Sequence, residues 1–382
     1  MPHAPGIYLD NAATTPLSEP AREAMEPFLG DRFGNASSVH APGREARKAV
    51  DEARERVAAA IGARPDEVVF TSGGTEADNL AIKGAAWHGR EQGRDGVVVS
   101  AIEHHAVLDP ARWLARQGFR VREVQVDSSG VVSLDALKTA IDDRAAIVSV
   151  MWANNEVGSV QPVAGCAALA RDAGAVFHSD AVQGVPWLDV DASIAGLISL
   201  SAHKVGGPKG VGALIVRRGV KIQALLHGGG QEREIRSGTY NVAGIVGFGA
   251  AVEHWIANRA AWADRASALR DRLQRRITGG LENVHVSTSE ATRLPNNLHL
   301  IFGGIDGESL ILLLDAAGIA ASQGSACSSG AAEPSHVLAA MGVSRDLARG
   351  ALRLTLGPQT STADVDRASD AVVEAVKRLR GR

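Results

Sequence analysis

A chain of 382 residues and 39.8 kDa exceeds the roughly 100–200 residues of one domain, and its 45% hydrophobic and 22% charged content excludes a disordered polymer. The 40 basic and 43 acidic side chains leave a net charge of −3, so no long-range field draws in a polyanion and nucleic acid is not an expected partner. Cys166 and Cys327 are the only cysteines, too few for a disulfide framework, which points to a reducing, cytoplasmic setting.

The opening MPHAPGIYLDNAATTP has no basic start followed by an apolar stretch and does not read as a secretory leader. From about residue 45 to 220, short β-branched runs alternate with helical stretches. EVVF (67–70), GVVVS (96–100), AAIVSVMWA (145–153), AVFHSD (175–180) and LISLSAH (197–203) read as strands. Arg44 to Ile61 and Leu134 to Ile141 carry apolar residues at helical spacing. Strands apolar on both faces, such as Ala146 to Met151, belong to a mostly parallel sheet covered by helices, so the fold class is α/β. The Gly-rich run Val242 to Val252 falls well short of the ~20 residues that cross a bilayer, and no membrane span is expected. Val252 to Ile277 reads as one long helix leading out of a large domain, with a boundary near residue 258. Beyond it HVST (285–288), NNLHLIFG (296–303) and a helix at Glu308 to Ala317 predict a smaller α+β domain.

Four stretches carry candidate chemistry. In SAHKVGGPKGVGAL (201–214), Lys204 sits at the end of an apolar strand before a Gly-rich turn. Burial there disfavours the ammonium and leaves an amine able to condense with a carbonyl cofactor, although a surface lysine at a strand end has the same local sequence. TSGGTEADNLAI (71–82) joins a strand to a helix start, whose unpaired N–H groups and Thr75 hydroxyl form a phosphate cradle or, equally, a capped helix. It lacks the Lys-Ser/Thr ending of a nucleotide P-loop. FHSDAVQG (177–184) puts Asp180 at the carboxyl end of a strand, where it either keeps a pyridine nitrogen protonated or caps a helix. Gln183 is placed to reach a ring hydroxyl, and His104, which follows another strand, can stack on a planar ring or simply pack.

SQGSACSSGAAEP (322–334) sets Cys327 among small residues, conditions under which a thiolate acts as nucleophile and carrier, whereas Cys166 in VAGCAALA reads as a small buried hydrophobe. Arg353, in RLTLG, suits a substrate carboxylate or a surface salt bridge. A metal site of His104, His105, His178 and Asp180 lacks any helical His-x-x-x-His or Cys-x-x-Cys spacing and leaves the Lys204 turn unexplained, so no metal is expected.

Assembled in order with YLDNAATTP (8–16), GNASSVH (34–40), EHHAVL (103–108), NNEVGSVQP (154–162), HGGGQEREIRSGT (227–239) and GSACSSG (324–330), these motifs make the chain resemble the NifS/IscS-type cysteine desulfurases, pyridoxal-phosphate enzymes of the class V aminotransferase fold. The resemblance implies a homodimer with a large cofactor domain at 16–257 and a small domain from residues 1–15 and 258–382 that carries the catalytic cysteine loop. It implies that Lys204 holds pyridoxal 5'-phosphate, Asp180 its ring nitrogen, Gln183 and Asn155 its hydroxyl and His104 its ring face. Gly74, Thr75, Ser201 and His203 would hold the phosphate, with Thr239 reaching the phosphate of the neighbouring subunit.

L-cysteine would then be converted to L-alanine, its sulfur passing to Cys327 as a persulfide, with Lys204 and His104 carrying protons and Arg353 and Asn35 gripping the substrate carboxylate. The Cys-Ser-Ser-Gly sequence looks like the branch with a mobile cysteine, suited to handing sulfur to an acceptor protein for iron–sulfur cluster assembly or other thiolation. A selenocysteine lyase shares nearly all of these residues, and an aminotransferase of the same fold would use Lys204 and Asp180 without needing Cys327.

Overall fold

The computed structural model describes residues 6–289, 291–324 and 335–381. Seven strands form the central sheet, in the spatial order Val68–Thr71, Gly212–Val216, Leu197–Ser201, Val176–Asp180, Ala145–Ser149, Gly96–Ser100 and Arg120–Val124. Gly212–Val216 runs antiparallel to both neighbours, and every other adjacent pair is parallel.

Strand residues alternate between two apolar layers because successive side chains leave a pleated strand on opposite faces. Val98, Val148, Ile198 and Ile215 enter one core, while Val97, Val99, Ile147, Leu197 and Leu214 enter the other. Both faces are therefore covered, as the unbroken β-branched runs predict. The edge strand Arg120–Val124 differs: Arg122 and Glu123 are exposed on it, a charged edge that resists pairing with another sheet.

A second, three-stranded antiparallel sheet orders Ala351–Thr355, Asn297–Phe302 and Val284–Val286. Its core takes Leu310 and Leu314 from the helix Gly307–Ala316, Val365, Val372 and Val376 from Thr362–Leu379, and Ile7 and Leu9 from the beginning of the chain. Ile7–Tyr8 pairs in parallel with Ile319–Ala320, so the two ends of the sequence meet in one packing centre.

The long helix reaches further than its sequence pattern predicts. It runs Val242–Gly280 rather than starting at Val252. Glycine lowers helix propensity, but here it permits close packing. A Cβ at Gly247 would lie 2.5 Å from Met25, and one at Gly249 would lie 2.9 Å from Ala53. The helices Glu19–Leu29 and Ala41–Ala59 are seated on that face, so tertiary packing overrides local preference. Lower down, Leu269, Leu273 and Ile277 of the same helix enter the second core. None of the helices among the described residues is long and apolar enough to cross a membrane.

Candidate active site

The strands ending at Thr71, Ser149, Asp180 and Ser201 bring their carboxyl ends toward one side of the sheet, where open α/β folds place ligands. A cavity of about 360 Å³ lies there. It is lined by nine of the residues singled out from the sequence as cofactor contacts, namely Gly74, Thr75, His104, Asn155, Asp180, Gln183, Ser201, His203 and Lys204, together with Arg353.

Lys204 reaches the cavity because the strand Leu197–Ser201 passes into a single 3₁₀ turn, Ala202–Lys204. Its Nζ donates to the carbonyls of Ala12, at 2.5 Å, and Ala13, at 2.8 Å. Gln183 Nε2 donates to the same Ala12 carbonyl at 2.9 Å. The segment after Leu9 thus forms one wall of the site, a contribution that the YLDNAATTP motif gives no residue-level reason to expect.

Asp180 is the last residue of its strand and is buried, with Oδ1 accepting from the Val182 N–H at 2.9 Å. Burial pushes its pKa up to about 6, opposed by that N–H and by the Lys204 charge. The cap-like contact to Val182 and the place in the cavity coexist.

Asp78, which sequence reasoning passed over, shares the cavity wall. Burial, followed by the charge of Asp180, holds its carboxyl well above the usual range, and its Oδ1 has no hydrogen-bond partner among the described residues. Its signal was helical spacing, since Asp78 stands four and three residues after Gly74 and Thr75 and shares their face. Beneath it, His178 turns into the sheet between Ser149, at 2.8 Å, and Ser199, at 3.0 Å. Burial lowers its pKa to about 3, so it is a neutral packing group.

His104 caps the helix His105–Arg116, its Nδ1 accepting from the Ala106 N–H at 3.1 Å. That bond fixes the proton of the neutral ring on Nε2. Burial, then the charges of Lys204, His105 and His336, push its pKa down to about 4. His203 donates or accepts at Thr14 Oγ1, 3.1 Å away, and burial followed by Lys204 lowers it to about 4 as well.

At one end of the cavity the helix Gly74–Glu91 begins, preceded by Gly73 at φ +153°, a backbone setting that L side chains rarely adopt. Its first-turn N–H groups and Thr75 stand beside buried Ser201, a set of donors suited to an anion.

Arg353 is not a surface salt bridge. It is buried on the strand Ala351–Thr355, with Nη2 donating to Asp10 Oδ1 at 2.7 Å and Nη1 to the carbonyls of Asn155 and Gly324, at 2.9 and 3.4 Å. Its Nε has no partner among the described residues.

Asn35 and Thr239 are exposed and do not line this cavity. Cys327 lies outside the described residues. Cys166 is fully buried on the helix Val163–Asp172, and burial pushes its thiol up to about 12, which suits the small hydrophobe read from the sequence.

Compared with known proteins, residues 7–368 match the family described as Aminotransferase class-V. The chain is 46% identical over 376 residues to the cysteine desulfurase IscS of Dictyoglomus turgidum, covering 98% of this chain and 95% of that protein. It is 47% identical over 381 residues to an IscS-like cysteine desulfurase of Mycobacterium tuberculosis, covering 98% and 97%. Among solved structures, a NifS-like protein matches with a TM-score of 0.92 at 37% identity, covering 98% of this chain and all 100% of that one.

Proposed function

The chain belongs to the class-V aminotransferase family, and from that premise we infer that its cavity binds pyridoxal 5'-phosphate and serves cysteine desulfuration. The residues present fit that cofactor. Anion-binding donors stand at one end, the buried Asp180 carboxylate lines the cavity and could keep a ring nitrogen protonated, and a lysine amine reaches in from the turn after a strand. In this reading Lys204 holds the cofactor carbonyl, Asp180 the ring nitrogen, Gln183 and Asn155 the hydroxyl and His104 the ring face. Gly74, Thr75, Ser201 and His203 hold the phosphate.

When bound, the cofactor supplies a sink for the electron pair left at the substrate α-carbon. The chain's own residues do the rest. Arg353 grips the L-cysteine carboxylate; Asn35, exposed and outside this cavity, is not placed to assist it within one chain. The Lys204 amine carries the proton of the α-carbon. His104 presents Nε2–H and is a proton donor, because its Nδ1 is committed to the helix cap.

The Cys327 thiolate attacks the substrate sulfur, so that the S–S bond forms as the C–S bond breaks. The β-carbon keeps the electron pair and takes up a proton. L-alanine leaves and Cys327 retains a persulfide, with no external oxidant or reductant consumed. An aminotransferase would need no such thiol, while selenocysteine offers the same atoms to the same residues.

One observation carries the reading: Lys204, Asp180, His104 and Gly324 line a single cavity, and Gly324 is three residues from Cys327. The test is Cys327→Ser. Alanine production from cysteine and sulfur label on the protein should both collapse, and sulfur release at the wild-type rate would overturn the scheme.

The finer reading is a cytoplasmic homodimer with a large domain at 16–257 and a small one from 1–15 and 258–382. Exposed Leu29, Phe33 and Val39 support a second copy covering this face, and exposed Thr239 is available to the neighbour's phosphate. The persulfide is passed to a sulfur-acceptor protein for iron–sulfur cluster assembly or another thiolation.

A further inference from the structure

We infer that Glu156 is a positioning residue for sulfur transfer, the buried carboxylate on which both flanks of the Cys327 segment are seated against the cofactor wall. The inference rests on the reading of Cys327 as the sulfur carrier.

Residues 325–334 join Gly324 to Ser335. Ser335 Oγ donates to Glu156 Oε2 at 2.5 Å, although the two are 179 positions apart. The same oxygen accepts from the Leu338 N–H at 3.2 Å, capping the helix His336–Ala340, so its own hydrogen is left to point at the carboxylate. On the other flank, the backbone of Gly324 packs on the Glu156 side chain. A Cβ there would meet Oε2 at 3.3 Å and Cγ at 3.4 Å, and φ of +104° favours glycine in any case.

Glu156 is itself held. Its N–H donates to Asn154 Oδ1 at 2.9 Å, and its carbonyl accepts from Asn297 Nδ2 at 3.1 Å. Its neighbour Asn155 lines the cavity and shares Arg353 Nη1 with Gly324. Three consecutive residues thus play separate parts, in which Asn154 fixes the turn, Asn155 faces the cofactor space and Glu156 holds the flanks. On the far side His336 Nε2 donates to the Glu103 carbonyl at 2.9 Å, a second tie on the Ser335 flank.

A nucleophile must meet its target within a few tenths of an ångström, and misplacement by about 1 Å costs on the order of 10²-fold in rate. A carboxylate serving only stability would instead be felt in folding and cofactor loading.

The test uses full-length holoenzyme carrying Glu156→Ala, Glu156→Gln, Ser335→Asp or Cys327→Ser. Three quantities are read: the visible absorbance of the bound cofactor, its change on adding L-cysteine, and the rate of persulfide formation on Cys327 by alkylation and mass. Glu156→Ala should keep the cofactor and the cysteine-induced spectral change, with KM within about 2-fold, while persulfide formation slows by about 10–100-fold. Glu156→Gln, which still accepts from the Ser335 hydroxyl, should recover most of the rate. Ser335→Asp keeps the helix cap but sets like charge against Glu156, so it should slow transfer even where Glu156→Ala fails to fold. An unchanged persulfide rate in Glu156→Ala or Ser335→Asp, or loss of cofactor in step with loss of rate, overturns the inference. Wild-type sulfur release by Cys327→Ser would instead sink the reading beneath it.

Discussion

Arg353 Nη2 and Asp10 Oδ1 lie 2.7 Å apart across 343 positions of sequence, joining the beginning of the chain to the wall of the cavity. The arginine side chain is only 3% exposed and the aspartate 20%. Removing one partner of a buried pair costs about 3–5 kcal/mol, because the remaining charge has nowhere to go. Asp10→Asn should fall toward the lower end of that range, since Asp10 retains some contact with water. A substrate carboxylate can stand in for the missing charge. Saturating L-cysteine should therefore raise the melting temperature of Asp10→Asn by more than it raises that of the wild type, and equal shifts in calorimetry would show that Arg353 does not grip the substrate.

His104 separates a structural duty from a chemical one. Nδ1 caps a helix, which leaves Nε2 as the ring nitrogen available to the cavity that His104 lines. Asn at position 104 can supply a capping oxygen but no exchangeable ring proton, whereas Ala supplies neither. Both variants should lose about 10²–10⁴-fold in kcat, the range for a positioned proton carrier. Only His104→Ala should also lose about 1 kcal/mol of stability for the cap. With its pKa held at about 4, His104 should leave no inflection near 6.5 in the wild-type dependence of kcat/KM on pH.

Asp180 predicts how stability responds to pH when the cofactor is absent. Its folded-state pKa of about 6 stands above the ordinary 3.8. Between about pH 4 and pH 6 the folded protein keeps a proton that the unfolded chain gives up, so its contribution is complete at the acid end and disappears as pH climbs through 6. Buried His104, His178, His203 and His299, held at about 4, 3, 4 and 3, are neutral in the fold while the unfolded chain protonates them below about 6.5, which pulls stability the opposite way over this interval. Asp180 is therefore read as a difference: from pH 4.5 to 6.5 the urea midpoint of cofactor-free wild type should fall relative to that of Asp180→Asn. If Asp180 pairs with the cofactor ring nitrogen as proposed, loading the cofactor should abolish that relative fall. Identical slopes for the two cofactor-free proteins would remove Asp180 from the account.

What is legible in the sequence divides from what is not along a physical line. The strands at 68–71, 96–100, 145–149, 176–180 and 197–201 are legible because burial on both faces writes short runs rich in apolar and β-branched residues. Asp180 is legible because it ends such a run, and Lys204 because it closes the turn that follows one. Asp10, Asp78 and Glu156 gain meaning only from contacts that folding creates, with Arg353, with the cavity and with Ser335. The long helix begins ten residues before its pattern predicts for a related reason. Gly247 and Gly249 look like helix breakers until Met25 and Ala53 are seated against them. The whole-chain family resemblance supplies what these local patterns do not, because it carries the assembled site at once.

The turn at 232–234 is under strain. Glu232, Arg233 and Glu234 follow one another at φ of +45°, +56° and +63°, where an L-residue costs roughly 1–2 kcal/mol. They are held there by a buried fork. Arg54 Nη1 and Nη2 donate to the two carboxylate oxygens of Glu232 at 2.8 and 2.6 Å, and Glu232 Oε2 also accepts from the Phe70 N–H at 3.0 Å. The clamp ties this turn to the strand Val68–Thr71, which leads into the anion-binding helix start. Glu234 is exposed, so Glu234→Gly relieves strain without removing a buried contact, at an entropic cost of about 0.5–1 kcal/mol. It should leave stability unchanged or raise it by up to about 1 kcal/mol. Glu232→Ala should lower stability by about 3–5 kcal/mol by stranding Arg54. Because the segment from 227 to 239 ends at Thr239, Glu232→Ala should also weaken cofactor retention in the proposed dimer, measured by dialysis. Retention equal to wild type would separate the clamp from the neighbour's phosphate.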